Sequence, residues 1–392
     1  MTPAARLQSA IEITDQIVAA ALAKGPPADR ILADWFRTRR FAGSKDRRAI
    51  RELVYRAVRA CGPIPQSGRA AMLRLAEEDR SLPPYFDGSP YGPAPTAEGE
   101  PAAEGGVAPG WLAKRLASSG IAGAEAQALL GRAPLDIRVN ALKASRATIE
   151  LPLPGEPLAA PHGLRLPPGT PVERWEAFDQ GLVEVQDGGS QLACEAVAAR
   201  RGETIVDLCA GAGGKTLALA AAMRGEGRLI AADTDRTRLQ RLAPRAERAG
   251  ATIQESILLN PGRELPALAA WHGQADAVLV DAPCSGTGTW RRNPEARWRL
   301  DPAALKQLGT LQRHLLEIAA ALVRPGGRLI YVTCSLLDEE GPSRTDAFLA
   351  AHPEWTADPP PLPLGAPRGP GWRLEPARDG VDGFFIARLL RP

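Results

Sequence analysis

Aromatic side chains make up only 5% of the 392 residues, so few rings are available to stack on a ligand. No apolar run approaches bilayer-spanning length, which excludes a helical membrane protein and leaves no membrane partner to expect. The opening stretch Met1-Thr-Pro-Ala-Ala-Arg6 lacks a signal-peptide core. The five cysteines, Cys61, Cys194, Cys209, Cys284 and Cys334, are widely spaced and form no Cys-x-x-Cys pair. That argues against a disulfide framework and against a zinc site, so no metal is expected. Free thiols belong in a reducing compartment, and a cytoplasmic location follows. Net charge is only +3, too little for a whole-chain case for polyanion binding. No internal repeat is visible, and nothing in the pattern reports oligomeric state. What remains, 44% hydrophobic and 24% charged, is ordinary globular composition at a length sufficient for two or three domains.

Charge is unevenly distributed. Between Arg30 and Arg59 stand ten basic residues against Asp34, Asp46 and Glu52, a local excess of seven. A run of charge is usually a solvated helix face, but this one is large enough for a polyanion footprint. Residues 4–80 read as helices. Ile50, Leu53, Val54, Ala57 and Val58 form one apolar stripe at helical spacing, and Ile31, Leu32, Trp35 and Phe36 form a second. Ser44 is the expected cap of the helix that follows Gly43. Residues 82–110, rich in Pro, Gly, Ala and Glu, read as a flexible connector, and 111–130 as helix. The expected division is a helical domain over 1–130, a small αβ segment over 131–180, and an α/β domain over 181–392.

From Thr204 strands and helices alternate. Strands are expected at 204–208, 228–232, 251–254, 276–280 and 328–333, with helices at 215–223, 236–249, 302–323 and 343–351. A last strand over 383–390 has no helix after it. This is a doubly wound, Rossmann-like α/β sheet closed by an antiparallel C-terminal edge strand.

Ile205-Val-Asp207-Leu-Cys-Ala-Gly-Ala-Gly-Gly214-Lys215-Thr216 runs from strand through a glycine loop into helix. Gly211, Gly213 and Gly214 let the backbone approach a ligand, and the helix start offers free N–H groups. Gly214-Lys215-Thr216 imitates a P-loop, but Cys209 stands where that motif needs its first glycine. A dinucleotide loop would need glycine where Thr216 stands, and Asp207 would repel a pyrophosphate. S-adenosyl-L-methionine has no phosphate and carries an ammonium that Asp207 can bind. Asp233, 19 residues after Gly214, ends the next strand, where a carboxylate accepts from ribose hydroxyls.

Two further motifs, Asp281-Ala-Pro-Cys284-Ser285 and Thr333-Cys334-Ser335, each follow an apolar run that reads as a buried strand. Strand ends in a parallel sheet share one edge, where such folds bind ligands. Either cysteine alone is more often a structural thiol. Two of them facing a cofactor loop point to methyl transfer onto a pyrimidine. Ring carbon C5 is a weak nucleophile until a thiolate adds to C6 and makes it enamine-like. Asp281 is placed to bond the ring's N3/N4 edge, and Lys215 to hold the ring or Asp281. Chemistry alone leaves open which thiol attacks.

These motifs resemble the RsmB/Fmu/Sun family of RNA (cytosine-5)-methyltransferases over most of the chain. The loop Asp207-Leu-Cys-Ala-Gly-Ala-Gly-Gly-Lys-Thr216 is similar to the family's, with Gly211-Ala212 where Ala-Pro is usual. Asp281-Ala-Pro-Cys-Ser-Gly-Thr-Gly288, Thr333-Cys-Ser-Leu-Leu-Asp-Glu-Glu340 and Asp382-Gly-Phe-Phe385 match closely; Arg138-Val-Asn-Ala-Leu-Lys143 and Gln186-Asp-Gly-Gly-Ser190 resemble the family's preceding segments. The resemblance implies Cys334 as nucleophile, Cys284 as the residue assisting product release, and Asp281 touching base and cofactor. It implies a cofactor site of Asp207, Cys209, Ala210, Gly211, Ala212, Gly213, Gly214, Lys215, Asp233 and Asp281, with Glu255 in the adenine position. It also implies a NusB-like RNA-binding domain in the N-terminal helices, strongest at Phe41-Ala-Gly-Ser-Lys-Asp-Arg-Arg48. Arg39, Arg40, Lys45, Arg47 and Arg48, with Arg291, Arg292 and Arg297 after the first cysteine motif, are the expected RNA contacts. Trp290 and Trp298 are candidate stacking partners for a base. Ribosomal RNA is the expected partner. Two other readings stay open at this point: an RNA-binding assembly factor without catalysis, and a methyltransferase acting on DNA.

Overall fold

A computed structural model describes residues 1–392 and divides them into two compact units. The first comprises Met1–Gly131 together with Thr289–Asp301. It is all-helical, consistent with a NusB-like fold: Pro3–Leu22, Ala28–Thr38, Ser44–Ala60, Gly68–Glu78, Gly110–Ser118 and Gly123–Ala128. Thr2 caps the first helix by accepting from the Ala5 N–H, and Pro3 sits at the helix start, where its missing N–H costs nothing. Both expected stripes face the core: Ile31, Leu32, Trp35, Phe36, Ile50, Val54, Ala57 and Val58 are all buried. Ser44 is not a cap. It is already the first residue of its helix, and Gly43 occupies the capping position without a side chain to bond.

Residues 82–110 are not a free connector. Arg69 donates to the carbonyls of Ala94 and Pro95 at 3.0 and 3.1 Å and to the Glu100 carboxylate, and the Ala103 N–H donates to Ala70 O at 3.0 Å. Proline and glycine here make irregular backbone that is nonetheless strapped onto helices.

Thr289–Asp301 is the clamp of this unit. Glu295 Oε1 accepts from the Ala28 N–H at 2.9 Å, serving the start of a helix whose preceding residue, Pro27, offers no side-chain cap. Arg297 donates to the carbonyls of Val58 and Cys61, both at 2.6 Å, at the end of Ser44–Ala60. Arg299 donates to the carbonyls of Gly25 and Pro26 at 2.7 Å each. Helix ends leave backbone groups unpaired, and charged side chains satisfy them here.

The second unit comprises Arg132–Gly288 and Pro302–Pro392. A small antiparallel sheet is ordered Glu156–Pro157, Gly163–Leu166, Leu135–Val139, Val183–Val185. The large sheet has five parallel strands in the order Val323–Thr333, Ala275–Asp281, Thr204–Asp207, Arg228–Asp233, Glu255–Leu258. Their side chains alternate between two apolar layers. Val206, Val278, Val280 and Tyr331 meet Leu315, Leu316 and Ala319 of helix Pro302–Leu322. Ile205, Ala277, Leu279, Ile330 and Val332 meet Leu219 and Ala220 of helix Gly214–Ala222. Burial on both faces is what makes these strands read as continuous apolar runs.

Phe384–Leu390 runs antiparallel to Val323–Thr333 as expected, but it is not the edge. Gly371–Leu374 and Ala366–Arg368 lie outside it. The expected strand at 251–254 is displaced to Glu255–Leu258, because helix Leu242–Ala249 ends at Gly250 in the left-handed conformation and the chain needs the next residues to reach the sheet.

Candidate active site

Four parallel strands end at one edge. Asp207 lies level with Ala231 and Leu279, and Asp281 with Val332, so Asp207, Asp233, Asp281 and Cys334 emerge together. The glycine loop turns over this edge. Gly213 has φ +86, and a Cβ there would stand 2.2 Å from Leu242 Cδ1, so no other residue fits. Gly214, the first residue of the following helix, has nothing within 4 Å of where a Cβ would be: there is room for a ligand.

Asp207 is 1% exposed. Its Oδ2 accepts from Thr216 Oγ1 at 2.7 Å, and its Oδ1 has no donor. Burial pushes its pKa up to about 7, against the lowering effect of the Thr216 bond. A buried acceptor without a donor fits a cationic amine and not a phosphate. Asp233 is fixed by backbone, accepting the Gly211 and Asp235 N–H groups at 2.7 Å each on different oxygens. Each carboxylate oxygen keeps a lone pair for a hydroxyl. The donor set therefore suits S-adenosyl-L-methionine.

Cys284 Sγ and Cys334 Sγ are 3.4 Å apart. Beside them Lys215 Nζ donates to Asp281 Oδ2 at 2.6 Å. Burial draws the Lys215 pKa down, but the charge and hydrogen bond of Asp281, together with the nearby Cys194 and Cys334 sulfurs, outweigh it and the net direction is up. The hydrogen bond with Cys334, then burial, hold the Cys284 thiol well above its ordinary value.

A buried network joins residues of the three matched motifs to Gln312, which no motif contains, and locks the two cysteine loops together. Glu340, 1% exposed, accepts from the Ser285 N–H at 2.9 Å and from the Ser285 hydroxyl. Gln312 donates to Glu340 Oε1 at 2.9 Å and to Pro283 O at 3.0 Å. Ser335 Oγ lies 3.1 Å from Ser285 Oγ and 3.2 Å from Thr287 Oγ1. The Gly288 N–H donates to Cys334 O at 3.0 Å, and the Gly383 N–H to Gly288 O at 2.9 Å. A Cβ on Gly288 would stand 2.1 Å from Gly383 O, which accounts for glycine in both motifs.

Other expected site residues are placed as follows. Cys209 is half-buried with its thiol raised well above normal, mainly by burial; Ala210 is buried, and the Ala212 carbonyl accepts from Arg245 at 2.6 Å. Glu255 is not at the ligand edge. It pairs with Ile230 at the start of its strand, three residues below the level of Asp233 and Leu258, about 10 Å along the strand. Its carboxylate instead accepts from Trp271 Nε1 at 3.0 Å.

In the helical unit, Arg40, Lys45 and Arg48 are exposed. Arg39 is half-buried over the Trp35 ring and Arg47 over the Phe36 ring. Arg292 is half-buried, but Arg291 and Arg297 are buried, at 7% and 0% exposure. Arg297 spends its donors on backbone carbonyls and is no RNA contact. Trp290 and Trp298 are core residues too, which removes them as stacking partners for a base.

A Rossmann-like sheet with an acidic residue and a glycine loop after its first strand defines a class I methyltransferase architecture. Residues 194–390 match the family model described as 16S rRNA methyltransferase RsmB/F. The chain belongs to this RsmB/F family of RNA methyltransferases. It is 37% identical over 66% of its length to a probable ribosomal RNA small subunit methyltransferase B of Synechocystis sp.. It is 35% identical over 72% of its length to ribosomal RNA small subunit methyltransferase B of Sodalis glossinidius. These matches span 60% and 65% of the relatives' own lengths. Among solved structures, the protein PH0851 is similar over 99% of both chains, with 26% identity and a TM-score of 0.74. That likeness includes the N-terminal helical unit.

Proposed function

We propose that the protein transfers a methyl group from S-adenosyl-L-methionine to C5 of a cytosine in RNA, with ribosomal RNA as substrate, through a bond between Cys334 Sγ and ring C6. The observation that carries this reading is the pair of thiols 3.4 Å apart beside the Lys215–Asp281 ion pair, at the edge where the glycine loop turns. Relatives named as ribosomal RNA small subunit methyltransferases support RNA as the substrate class. Five free cysteines suit a reducing cytoplasm.

When bound, S-adenosyl-L-methionine supplies an electrophilic methyl on a sulfonium. Asp207 Oδ1 receives the cofactor's ammonium and Asp233 its ribose hydroxyls. Asp281, held by Lys215, faces the polar edge of the flipped-out base. Cys334 Sγ adds to C6, which raises the electron density at C5 and lets it take the methyl. Transfer of the C5 proton by way of Cys284 and cleavage of the S–C6 bond restore the aromatic ring and the Cys334 sulfur, with one proton released overall. Exposed Arg40, Lys45 and Arg48 supply phosphate contacts in the helical unit.

The test is transfer of labelled methyl groups to unmodified ribosomal RNA, with DNA as competitor. The wild-type protein should label RNA at cytosine C5 and DNA should not compete. Cys334→Ala should lose labelling entirely. Labelling that survives in Cys334→Ala would reject the covalent route, and preference for DNA would reject the substrate.

A further inference from the structure

Glu340 is a buried carboxylate with no counter-ion. It is 1% exposed, and its only donors are the Ser285 N–H at 2.9 and 3.2 Å, the Ser285 hydroxyl, and Gln312 Nε2 at 2.9 Å. All are neutral. A buried charge paired only with neutral dipoles is costly, and a fold that needed only packing would place an apolar residue here. Its neighbours show what it holds. Ser285 follows Cys284 directly, and Gln312, the third donor, also bonds the carbonyl of Pro283 at 3.0 Å, the residue before Cys284. The carboxylate and its glutamine therefore bracket Cys284 from both sides along the chain.

The charges around the two sulfurs are unequal. Facing Cys284 are Cys334 at 3.4 Å, the Glu340 carboxylate, the Gly286 N–H and Tyr331, whose hydroxyl donates to Glu340 O at 2.9 Å. Arg344 faces Tyr331 but is turned to the carbonyls of Glu339 and Gly309. Facing Cys334 is the Lys215 ammonium, whose partner is Asp281. A carboxylate without a counter-ion stands on the Cys284 side, and an ammonium already paired with a carboxylate on the Cys334 side.

We propose that Glu340 is the positioning residue that makes the two thiols unequal: it fixes Cys284 through Ser285 and reserves that sulfur for holding a proton, leaving Cys334 to attack. The roles of the two thiols rest on the function proposed above; the effect of Glu340 on Cys284 does not. Cys334 begins as thiolate and forms the S–C6 bond while Cys284 keeps its proton. On release, Cys284 passes its proton to the departing Cys334 sulfur as the S–C6 bond breaks, and takes the C5 proton in exchange. Both end as thiols, and Cys334 loses one proton to solvent before the next cycle. The direction of the Cys284 shift agrees, since Glu340 is among its causes after the Cys334 bond and burial.

The experiment uses the full chain without RNA. Iodoacetamide alkylation of Cys284 is followed by peptide mass spectrometry across pH in Cys334→Ser, where the thiol–thiol bond is gone. Cys284 should titrate above the ordinary thiol value of about 8.5. Adding Glu340→Gln, which keeps an acceptor for the Ser285 N–H but removes the charge, should shift the profile down and raise the rate at pH 8 about tenfold. Glu340→Asp added to the same background should retain the Cys334→Ser profile. An ordinary profile in Cys334→Ser alone overturns the inference even if the Gln variant fails to fold. So does an unchanged profile in Cys334→Ser/Glu340→Gln. A protein that alkylates as expected yet transfers no methyl group would sink the proposed function and leave the Glu340 inference standing.

Discussion

Replacing Arg297 with methionine separates a structural arginine from a nucleic-acid contact. The guanidinium is wholly buried and donates to the carbonyls of Val58, Cys61 and Pro294. Three charge-assisted bonds at about 1.5–3 kcal/mol each would contribute about 5–9 kcal/mol. Against that stands the cost of burying the charge. Burial lowers the Arg297 pKa from 12.5 to about 10, a depression worth about 3 kcal/mol at about 1.4 kcal/mol per pH unit. Methionine recovers that cost and keeps most of the volume, so the net loss should be about 2–6 kcal/mol. For a helical unit of this size, about 3 °C per kcal/mol gives a drop in melting temperature of roughly 6–18 °C. Thermal unfolding followed by far-ultraviolet circular dichroism measures it. An unchanged melting temperature, with RNA affinity reduced and its salt dependence flattened, would refute the capping assignment and restore Arg297 as an RNA contact.

Gly213→Ala should cost about 1–2 kcal/mol for the left-handed backbone and about 1–3 kcal/mol more for the clash with Leu242, and isothermal titration should show cofactor binding lost before the fold is. Asp207 links cofactor binding to pH. Because its folded pKa, about 7, lies above the unfolded value of 3.8, the native state holds the extra proton between those values. Stability should therefore fall as pH rises from about 4 to 7 and level off above, while S-adenosyl-L-methionine affinity rises through about pH 7 as the carboxylate forms. In Asp207→Asn the rise in affinity and this contribution to the stability profile should vanish; affinity that still rises through pH 7 would place the ammonium elsewhere.

The doubly wound region is legible because both faces of its strands are buried, which leaves continuous apolar runs such as Ala277-Val-Leu-Val280. Glu255–Leu258 is not legible for the opposite reason. It lies at the sheet's end with polar, exposed Glu255 and Ser256, while the apolar Ile253 just before it packs with helix residues Leu242 and Ala246. Glu255 therefore stands at the start of its strand and not at the ligand edge, where the family resemblance puts it. The two cysteine motifs announce themselves because each follows a buried strand. Gln312 and the bonds that Glu340 makes do not, since the partners lie 55 and 28 residues apart in sequence and only the sheet topology brings them together. Arg297 shows only its charge in the sequence, which a helix-capping arginine and a phosphate-binding arginine share. Burial tells them apart, and burial is not written in a run of arginines.

If Cys334 makes the covalent bond and Cys284 resolves it, removing each thiol in turn has opposite effects on the adduct. Cys284→Ala and Cys334→Ala proteins incubated with unmodified RNA and S-adenosyl-L-methionine, then separated on a denaturing gel, should show a stable protein–RNA band for Cys284→Ala and none for Cys334→Ala. A band only for Cys334→Ala would reverse the two roles, and no band in either, with wild-type protein unable to label RNA, would contradict catalysis altogether.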